Sequence, residues 1–219
     1  MHRIQFRDRT DAGRRLAAAL SSYAGRSDLR VLALPRGGVP IGYEVARALR
    51  APLDVILVRK LGVPGHEELA MGAIASGGVR IVSQDVVASL GIPDWVIAAA
   101  AASEEHELAR RQHAYRDELP SPPIAGRTVL LVDDGLATGS TMRAAAAAVR
   151  SQGPKRLVVA VPTAPGETCR SLRDEVDEVV CLSSPEPFVS VGGSYENFSQ
   201  TTDEEVRALL ERAATARAT

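Results

Sequence analysis

The sequence predicts an α/β protein whose central parallel sheet is covered by helices on both faces. Short apolar strands alternate with helical segments over most of the 219 residues, and strands that are apolar throughout are typical of a sheet buried on both sides. The run Val-Leu-Leu-Val at residues 129–132 is such a strand, and two aspartates follow it directly. The alternation breaks between about residues 70 and 125, where we expect an α+β insert.

Each predicted element rests on an apolar pattern that is bounded by turn-forming residues. Apolar runs of strand length predict parallel strands over residues 30–34, 53–58, 129–132, 156–161 and 178–182. Helical patterns predict helices over residues 11–23, 39–49, 84–90, 93–118, 142–152, 166–175 and 202–214.

Two segments near the start of the insert have different predictions. Residues 59–69 include Pro64 and Gly65, and we expect them to form a loop because both residue types interrupt regular structure. Residues 70–76 and 79–83 flank a pair of glycines, which predicts a β-hairpin.

Composition excludes several classes of protein. The formal net charge is −1, so the chain has no general electrostatic affinity for nucleic acid or for an anionic membrane. The N-terminal residues lack an apolar signal core and no apolar run reaches the length of a membrane span, so we expect a cytoplasmic protein. Cys169 and Cys181 lack metal-ligand spacing, and we interpret them as core thiols.

The stretch from residue 129 to residue 141 predicts a binding site for a phosphorylated sugar. Asp133 and Asp134 end a buried strand, a turn containing Thr138 and Ser140 follows, and an alanine-rich helix begins after Thr141. Amide groups at a helix start attract anions, and carboxylates suit the vicinal hydroxyls of a sugar. The same residue types also cap helices and form turns, so the prediction depends on their order rather than on any one of them.

This ordered string resembles the signature of type I phosphoribosyltransferases that binds phosphoribosyl pyrophosphate (PRPP): two hydrophobic residues, two acids, a short spacer and Thr-Gly-x-Thr. The resemblance implies the parallel-sheet fold of that family in a single domain over residues 1–219, with the insert at about 70–125 and a C-terminal hood segment at about 184–219. It implies that Asp133 and Asp134 hold the ribose hydroxyls. The PRPP-binding residues around the 5′-phosphate would then be Gly135, Ala137, Thr138, Gly139, Ser140 and Thr141.

Two further segments resemble the family at the ends of the first two strands. Arg36 precedes Gly37 and Gly38, which resembles the pyrophosphate loop; paired glycines let the backbone approach a ligand closely. Arg59 and Lys60 resemble the start of a flexible loop that reaches the pyrophosphate. By this resemblance Arg36, Arg59 and Lys60 are the catalytic residues, although each could also be a solvated surface cation.

Weaker expectations concern the loop tip and the aromatic residues. His66 and Glu67 would lie in the flexible loop, where they could handle protons or metal or simply form a polar tip. Phe188 and Tyr195 follow the last strand in a chain that is poor in aromatics. Related enzymes stack the base on an aromatic residue in this region, but packing under a surface hairpin would explain these two rings equally well.

The implied reaction transfers the 5-phosphoribosyl group of PRPP to or from a nitrogenous base, with Mg-pyrophosphate as the leaving group. The cofactor would be Mg²⁺, held mainly by PRPP, with Asp133 and Asp134 as candidate protein ligands. Enzymes that act on 6-oxopurines carry an acid where this chain has Ala137, so the acceptor stays open. We expect PRPP and a base or nucleotide as partners, neither nucleic acid nor membrane, and a possible homodimer. A non-catalytic regulatory protein that binds PRPP or nucleotides is the alternative.

Overall fold

The computed structural model describes residues 5–76, 78–116 and 123–216, within which the chain forms two sheets and several helices. The helices are α1 (Arg9–Ala19), α2 (Gly38–Leu49), α3 (Gln84–Leu90), α4 (Asp94–Arg116), α5 (Ser140–Arg150), α6 (Gly166–Leu172) and α7 (Asp203–Thr215). The strands are β1 (Leu29–Ala33), β2 (Leu53–Val55), β3 (Val58–Val63), β4 (His66–Ala75), β5 (Val79–Val82), β6 (Thr128–Val132), β7 (Arg156–Thr163) and β8 (Glu178–Ser183).

The larger sheet confirms the predicted fold class. In the described residues its five strands run parallel in the order β2-β1-β6-β7-β8, as expected for a parallel sheet with helices on both faces. Val132 at the end of β6 pairs with Ala33 at the end of β1 and with Ala160 in β7. The loops that leave β1 and β6 therefore start side by side at the carboxyl edge of the sheet, where open α/β sheets bind ligands.

Both faces of this sheet are buried, as the apolar strands predict. Along β6, Val129 and Leu131 join the core that includes α5 and α6. Leu130 and Val132 point the other way into the core that includes α1 and α2. Every residue of β6 is buried, because alternate side chains of a strand project to opposite faces and both faces carry helices.

The second sheet corrects the prediction for residues 59–69. It is antiparallel in the order β3-β4-β5, and it begins at Val58 rather than near residue 70. The predicted strand over 53–58 is also divided, since β2 ends at Val55. Residues 59–69 are a hairpin and not a loop: Val63 pairs with His66 across a tight turn at Pro64 and Gly65.

The physical reason for this error is visible in the hairpin itself. Gly65 has φ +80°, and a proline followed by a glycine with positive φ is typical of a type II turn. Leu61, Val63 and Met71 are buried in a third core with α4 and α7. Pro64 and Gly65 interrupt the regular strand structure as expected, but the strands on either side of them depend on this third core. The hairpin predicted around the glycine pair is formed by β4 and β5.

The N-terminal segment pairs with the segment that precedes the last helix. Phe6 bridges to Tyr195, and the backbone N–H of Phe6 donates to the carbonyl of Ser194 at 2.9 Å. The last helix, α7, begins with a capping box formed by Thr202 and Glu205, in agreement with the predicted helix at 202–214. No helix in the described ranges combines the length and apolar character needed to cross a bilayer.

Candidate functional site

The two acids lie at the carboxyl edge of the sheet, directly after β6. Asp133 and Asp134 are both partly exposed. The backbone N–H of Asp134 donates to Oδ1 of Asp133 at 2.8 Å. Burial raises the pKa of Asp133 well above its ordinary value, and the neighbouring Asp134 carboxylate raises it further. The two carboxylates therefore repel each other at the strand end, where both residues keep some exposure to solvent.

The glycine pair after β1 packs directly against these acids. A Cβ on Gly37 would collide with the carboxylate of Asp134, and a Cβ on Gly38 would lie 2.8 Å from the carbonyl oxygen of Val132. The backbone N–H of Leu34 also donates to that carbonyl at 2.9 Å. The loop therefore needs glycine at these two positions because the start of α2 lies against the end of β6. The peptide between Pro35 and Arg36 is cis.

The turn between β6 and α5 presents an exposed polar edge. Ala137, Thr138, Ser140 and Thr141 are exposed, and the hydroxyls of Thr138 and Ser140 lie 3.0 Å apart. Gly139 has φ +77° and immediately precedes α5. Amides in the first helical turn have no acceptor within the helix, so this open turn presents N–H and O–H donors to an incoming anion.

The turn is held from behind by helix α6. The hydroxyl of Thr168 donates to the carbonyl of Ala137 at 2.9 Å, and its methyl group would lie 2.9 Å from a Cβ on Gly139. Leu136 donates its N–H to the carbonyl of Thr163 at 2.9 Å. The conformation of the turn is thus supported by β7 and α6, while its other side stays open.

Arg9 is a residue of this site that sequence reasoning missed. Its Nε and Nη2 atoms lie 2.9 and 2.8 Å from Oδ2 of Asp134. Its Nη1 donates to the carbonyl of Ser199 at 2.6 Å, and the guanidinium lies 4.0 Å from the ring centre of Phe198. Burial raises the pKa of Asp134, and the charge of Arg9 opposes this shift.

The start of α1 explains how Arg9 reaches the acids. Asp8 caps the helix by accepting the N–H of Asp11 at 2.8 Å, so the helix begins at Arg9 and not at residue 11 as predicted. A basic residue in an N-terminal run that contains several charges has no distinguishing local signal, and this explains why Arg9 was not selected.

The predicted cations come from separate elements. Arg36 is exposed, with Nη1 3.9 Å from Oδ1 of Asp203. Arg59 lies in β3 and pairs with Glu104 of α4, while Lys60 is exposed in the same strand. Arg59 and Lys60 are therefore held in a paired β-strand and do not open a flexible loop.

Arg59 and the loop after β1 nevertheless line the same small cavity. This cavity of about 40 Å³ is lined by Pro35, Arg59 and Thr141 together with Arg111 of α4. Arg111 was not selected from the sequence, because it occurs in the charged part of a long helix where most side chains are solvated. The structure thus brings the loops after β1 and β6 together with a strand and a helix of the insert.

The two aromatic residues proposed to stack on a base, Tyr195 and Phe188, lie in different environments. Tyr195 is buried between Phe6 and Phe198, with ring centres 5.5 and 5.0 Å away, and its hydroxyl donates to the carbonyl of Asp134 at 2.6 Å. A base-stacking role does not fit a ring that is covered in this way. Phe188 is partly exposed in the segment after β8.

The remaining two residues of that set lie in the extra sheet. His66 is exposed at the start of β4, so it belongs to a hairpin and not to a flexible loop. Glu67 lies in the same strand, but its side chain is outside the described residues. Within the part of the chain that the structure describes, no cluster of three or more His, Cys, Asp or Glu side chains is suited to a metal ion.

Comparison with known proteins gives the family. Residues 5–196 match the model of the phosphoribosyl transferase domain. The chain is 46% identical over 208 residues to proteins of two Mycobacterium tuberculosis strains whose names assign them provisionally to the phosphoribosyl transferases. The match covers 95% of this chain and 47% of those proteins, so the chain spans about half the length of these curated relatives.

A solved structure is similar over almost its whole length. The crystal structure of a Thermus thermophilus protein is 43% identical to this chain, with a TM-score of 0.88, and the match covers 95% of this chain and 99% of that one. The family match extends from the N-terminal segment through the acid pair to the aromatic residues after β8. This chain therefore belongs to the phosphoribosyl transferase domain family.

Proposed function

We propose that this protein binds PRPP at the carboxyl edge of its parallel sheet and transfers the 5-phosphoribosyl group to a nitrogenous base. The observation that carries the proposal is the meeting of two features at the end of β6. The partly exposed acids Asp133 and Asp134 lie beside an exposed, amide-lined turn at residues 137–141. A sugar that carries both a vicinal diol and a phosphate would use both features.

The proposed donor site assigns each end of PRPP to one group of residues. Asp133 and Asp134 accept hydrogen bonds from the ribose hydroxyls. The turn from Ala137 to Thr141 donates its amides and hydroxyls to the 5′-phosphate, with Gly139 supplying the left-handed backbone that starts α5. Gly135 continues the chain between these two subsites. Gly37 and Gly38 lie against the acids, where the pyrophosphate would approach.

The chemistry is a displacement at the anomeric carbon of the ribose. A nitrogen of the acceptor forms a bond to this carbon while the bond to the pyrophosphate oxygen breaks, and the electron pair leaves with pyrophosphate. Arg36 and Arg59 stabilise the negative charge on the leaving group, which is an electrostatic contribution. Lys60 follows Arg59 in β3, so its side chain projects to the opposite face of that strand. The acids hold the ring in place during the displacement.

Magnesium fits the donor set that the site offers. Mg²⁺ prefers oxygen ligands and commonly takes one or two protein carboxylates together with substrate phosphates. Asp133 and Asp134 provide such carboxylates at the strand end. When it is bound, Mg²⁺ neutralises charge on the pyrophosphate and so makes it a better leaving group.

The partners in this proposal are PRPP and a base or nucleotide, and the cytoplasm is the proposed location. Acceptor identity stays open because Ala137 replaces the acid found in enzymes for 6-oxopurines. Isothermal calorimetry with PRPP and Mg²⁺, followed by a screen for pyrophosphate release over a panel of bases, tests the proposal. We expect binding and release with at least one base.

The alternative is a regulatory protein that binds PRPP without turnover. The ion pair between Arg9 and Asp134 bears on both functions, because one of the proposed ribose ligands already has a partner inside the protein. If PRPP binds but no base in the panel causes pyrophosphate release, the result would support the regulator. Failure to bind PRPP would reject both functions.

A further inference from the structure

Helix α4 of the insert forms one wall of the cleft beside the loop after β1. Four separate elements contribute to the small cavity there: Pro35 follows β1, Arg59 lies in β3, Arg111 lies in α4 and Thr141 lies in α5. Arg59 and Arg111 are 36% and 42% exposed. Two arginines therefore line the same cavity, one from the extra sheet and one from the long helix.

The cations around this cavity are held by carboxylates of neighbouring helices. Glu104 of α4 pairs with Arg59. One turn further along, Glu107 accepts from Nε of Arg111 at 2.7 Å. Asp203 at the start of α7 lies 3.9 Å from Arg36. Arg36, Arg59 and Arg111 thus each have a carboxylate partner.

Tyr115 follows Arg111 by about one turn in α4 and connects this helix to α7. The hydroxyl of Tyr115 donates to Asp203 at 2.5 Å. Burial and the Asp203 carboxylate raise the pKa of Tyr115 to about 12, while the charges of Arg111 and Arg36 oppose the shift. Arg111 and Arg36 therefore act on the same hydroxyl, although one belongs to the insert and the other to the loop after β1.

We propose that Arg111 is a further pyrophosphate-binding residue, and that Glu104 and Glu107 hold Arg59 and Arg111 until the anion replaces them. The inference rests on the proposed function, because it assigns the leaving group of PRPP to this cleft. It also gives the insert a role, because its helix supplies the pyrophosphate site with a cation in addition to Arg36 of the loop after β1.

The exchange of partners is physically favourable. An arginine forms charge-assisted, bidentate hydrogen bonds to phosphate oxygens, and pyrophosphate carries more charge than one carboxylate. Partly exposed ion pairs contribute little net stability because water screens them. Giving up Glu104 and Glu107 therefore costs the protein little, and the cavity of about 40 Å³ would open as the side chains turn toward the anion.

Arg110 provides a matched control for Arg111. It is the adjacent residue, it also pairs with Glu107 at 2.8 Å, and it is 61% exposed. Among the residues that the structure describes, it does not line the cavity. A general loss of charge from α4, or the loss of a partner for Glu107, would affect both variants equally.

The experiment is calorimetry of Mg-pyrophosphate and of PRPP with the wild type, Arg111→Gln, Arg110→Gln and Arg111→Lys. We expect Arg111→Gln to weaken pyrophosphate binding about tenfold or more, the effect of losing charge-assisted hydrogen bonds. Arg110→Gln should change it by less than about twofold, as expected for an exposed charge. Arg111→Lys should recover part of the affinity by restoring the charge, and it keeps the test usable if Arg111→Gln folds poorly.

A fourth variant tests whether the anion replaces the glutamate partner of Arg111. Glu107→Gln removes the competing carboxylate, so pyrophosphate should bind more tightly than in the wild type. Equal affinities for the wild type and Arg111→Gln, or equal losses for Arg110→Gln and Arg111→Gln, would overturn the inference while leaving the proposed function in place. Weaker binding by Glu107→Gln would overturn the exchange. A wild type that binds neither PRPP nor pyrophosphate would instead reject the proposed function.

Discussion

The guanidinium of Arg9 lies against the carboxylate of Asp134, with two of its nitrogens within 2.9 Å of the same oxygen. The side chains are only 12% and 15% exposed. Arg9 is also bound to the carbonyl of Ser199 and stacked on Phe198. One side chain thus connects the first helix and the C-terminal segment to the acid pair of the proposed donor site.

Replacing Arg9 by Gln should destabilise the protein by roughly 1–3 kcal/mol, because Asp134 would keep a poorly solvated charge without its partner. Urea unfolding at neutral pH measures this change. Arg7→Gln is the control, since Arg7 is 70% exposed and pairs with Asp11 at 3.7 Å; its effect should stay below about 0.5 kcal/mol. Equal effects of the two substitutions would show that the pair with Asp134 contributes nothing special.

Replacing Asp133 by Asn should stabilise the protein at pH 7 and weaken PRPP binding. The pKa of Asp133 is raised in the folded state, so folding is favoured below the unfolded pKa and that advantage is lost as pH rises through the folded pKa. Asn removes this loss and can still accept the N–H of Asp134. Unfolding measurements across pH should show the stabilisation at pH 7 and its disappearance below about pH 4, the ordinary pKa of aspartate.

The same substitution distinguishes a binding role from a structural one. A protein that is more stable but binds PRPP less tightly has lost a ligand contact, which is the usual relation at strained functional sites. Loss of thermal stability together with unchanged PRPP affinity would show that Asp133 serves the fold.

Replacing Gly139 by Ala should weaken PRPP binding by about tenfold or more, because it distorts the turn that donates to the phosphate. Gly139 has φ +77°, and its Cβ would lie 2.9 Å from the methyl carbon of Thr168. Gly153→Ala is the control: Gly153 has φ +67°, but a Cβ there meets open space. Both variants should lose about 1–2 kcal/mol from the left-handed backbone, as measured by urea unfolding. Similar PRPP affinities for both variants would contradict the prediction.

Replacing Gly37 by Ala should reduce PRPP affinity because the new methyl group displaces the Asp134 carboxylate, and not because the backbone is strained. Gly37 has φ −60°, which alanine adopts freely, but its Cβ would collide with the carboxylate of Asp134. Gly166→Ala is the control, since Gly166 also lies at a helix start and its Cβ would have ordinary clearance of 3.4 Å. Calorimetry with PRPP should show a loss for Gly37→Ala alone.

Much of the fold could be predicted from sequence because its determinants are local. The strand β6 is apolar on both faces, and α7 carries its own capping box. The hairpin at residues 59–69 could not be predicted in the same way. Its strands contain Gly62 and Gly72, and they are stable because Leu61 and Met71 reach a core shared with α4 and α7. Their partners are distant in sequence.

In the candidate site, too, some residues follow from local sequence and others are brought together only by tertiary packing. By itself, the sequence determined the order of strand, acids, turn and helix around Asp133 and Thr141, because each step depends on neighbouring residues. Only the tertiary structure decided that Arg9 would meet Asp134, which is 125 residues away, and that Arg111 would join Arg59 in one cavity. These pairings depend on how the helices pack on the two sheets, and no local pattern of charge determines which distant residue a guanidinium will reach.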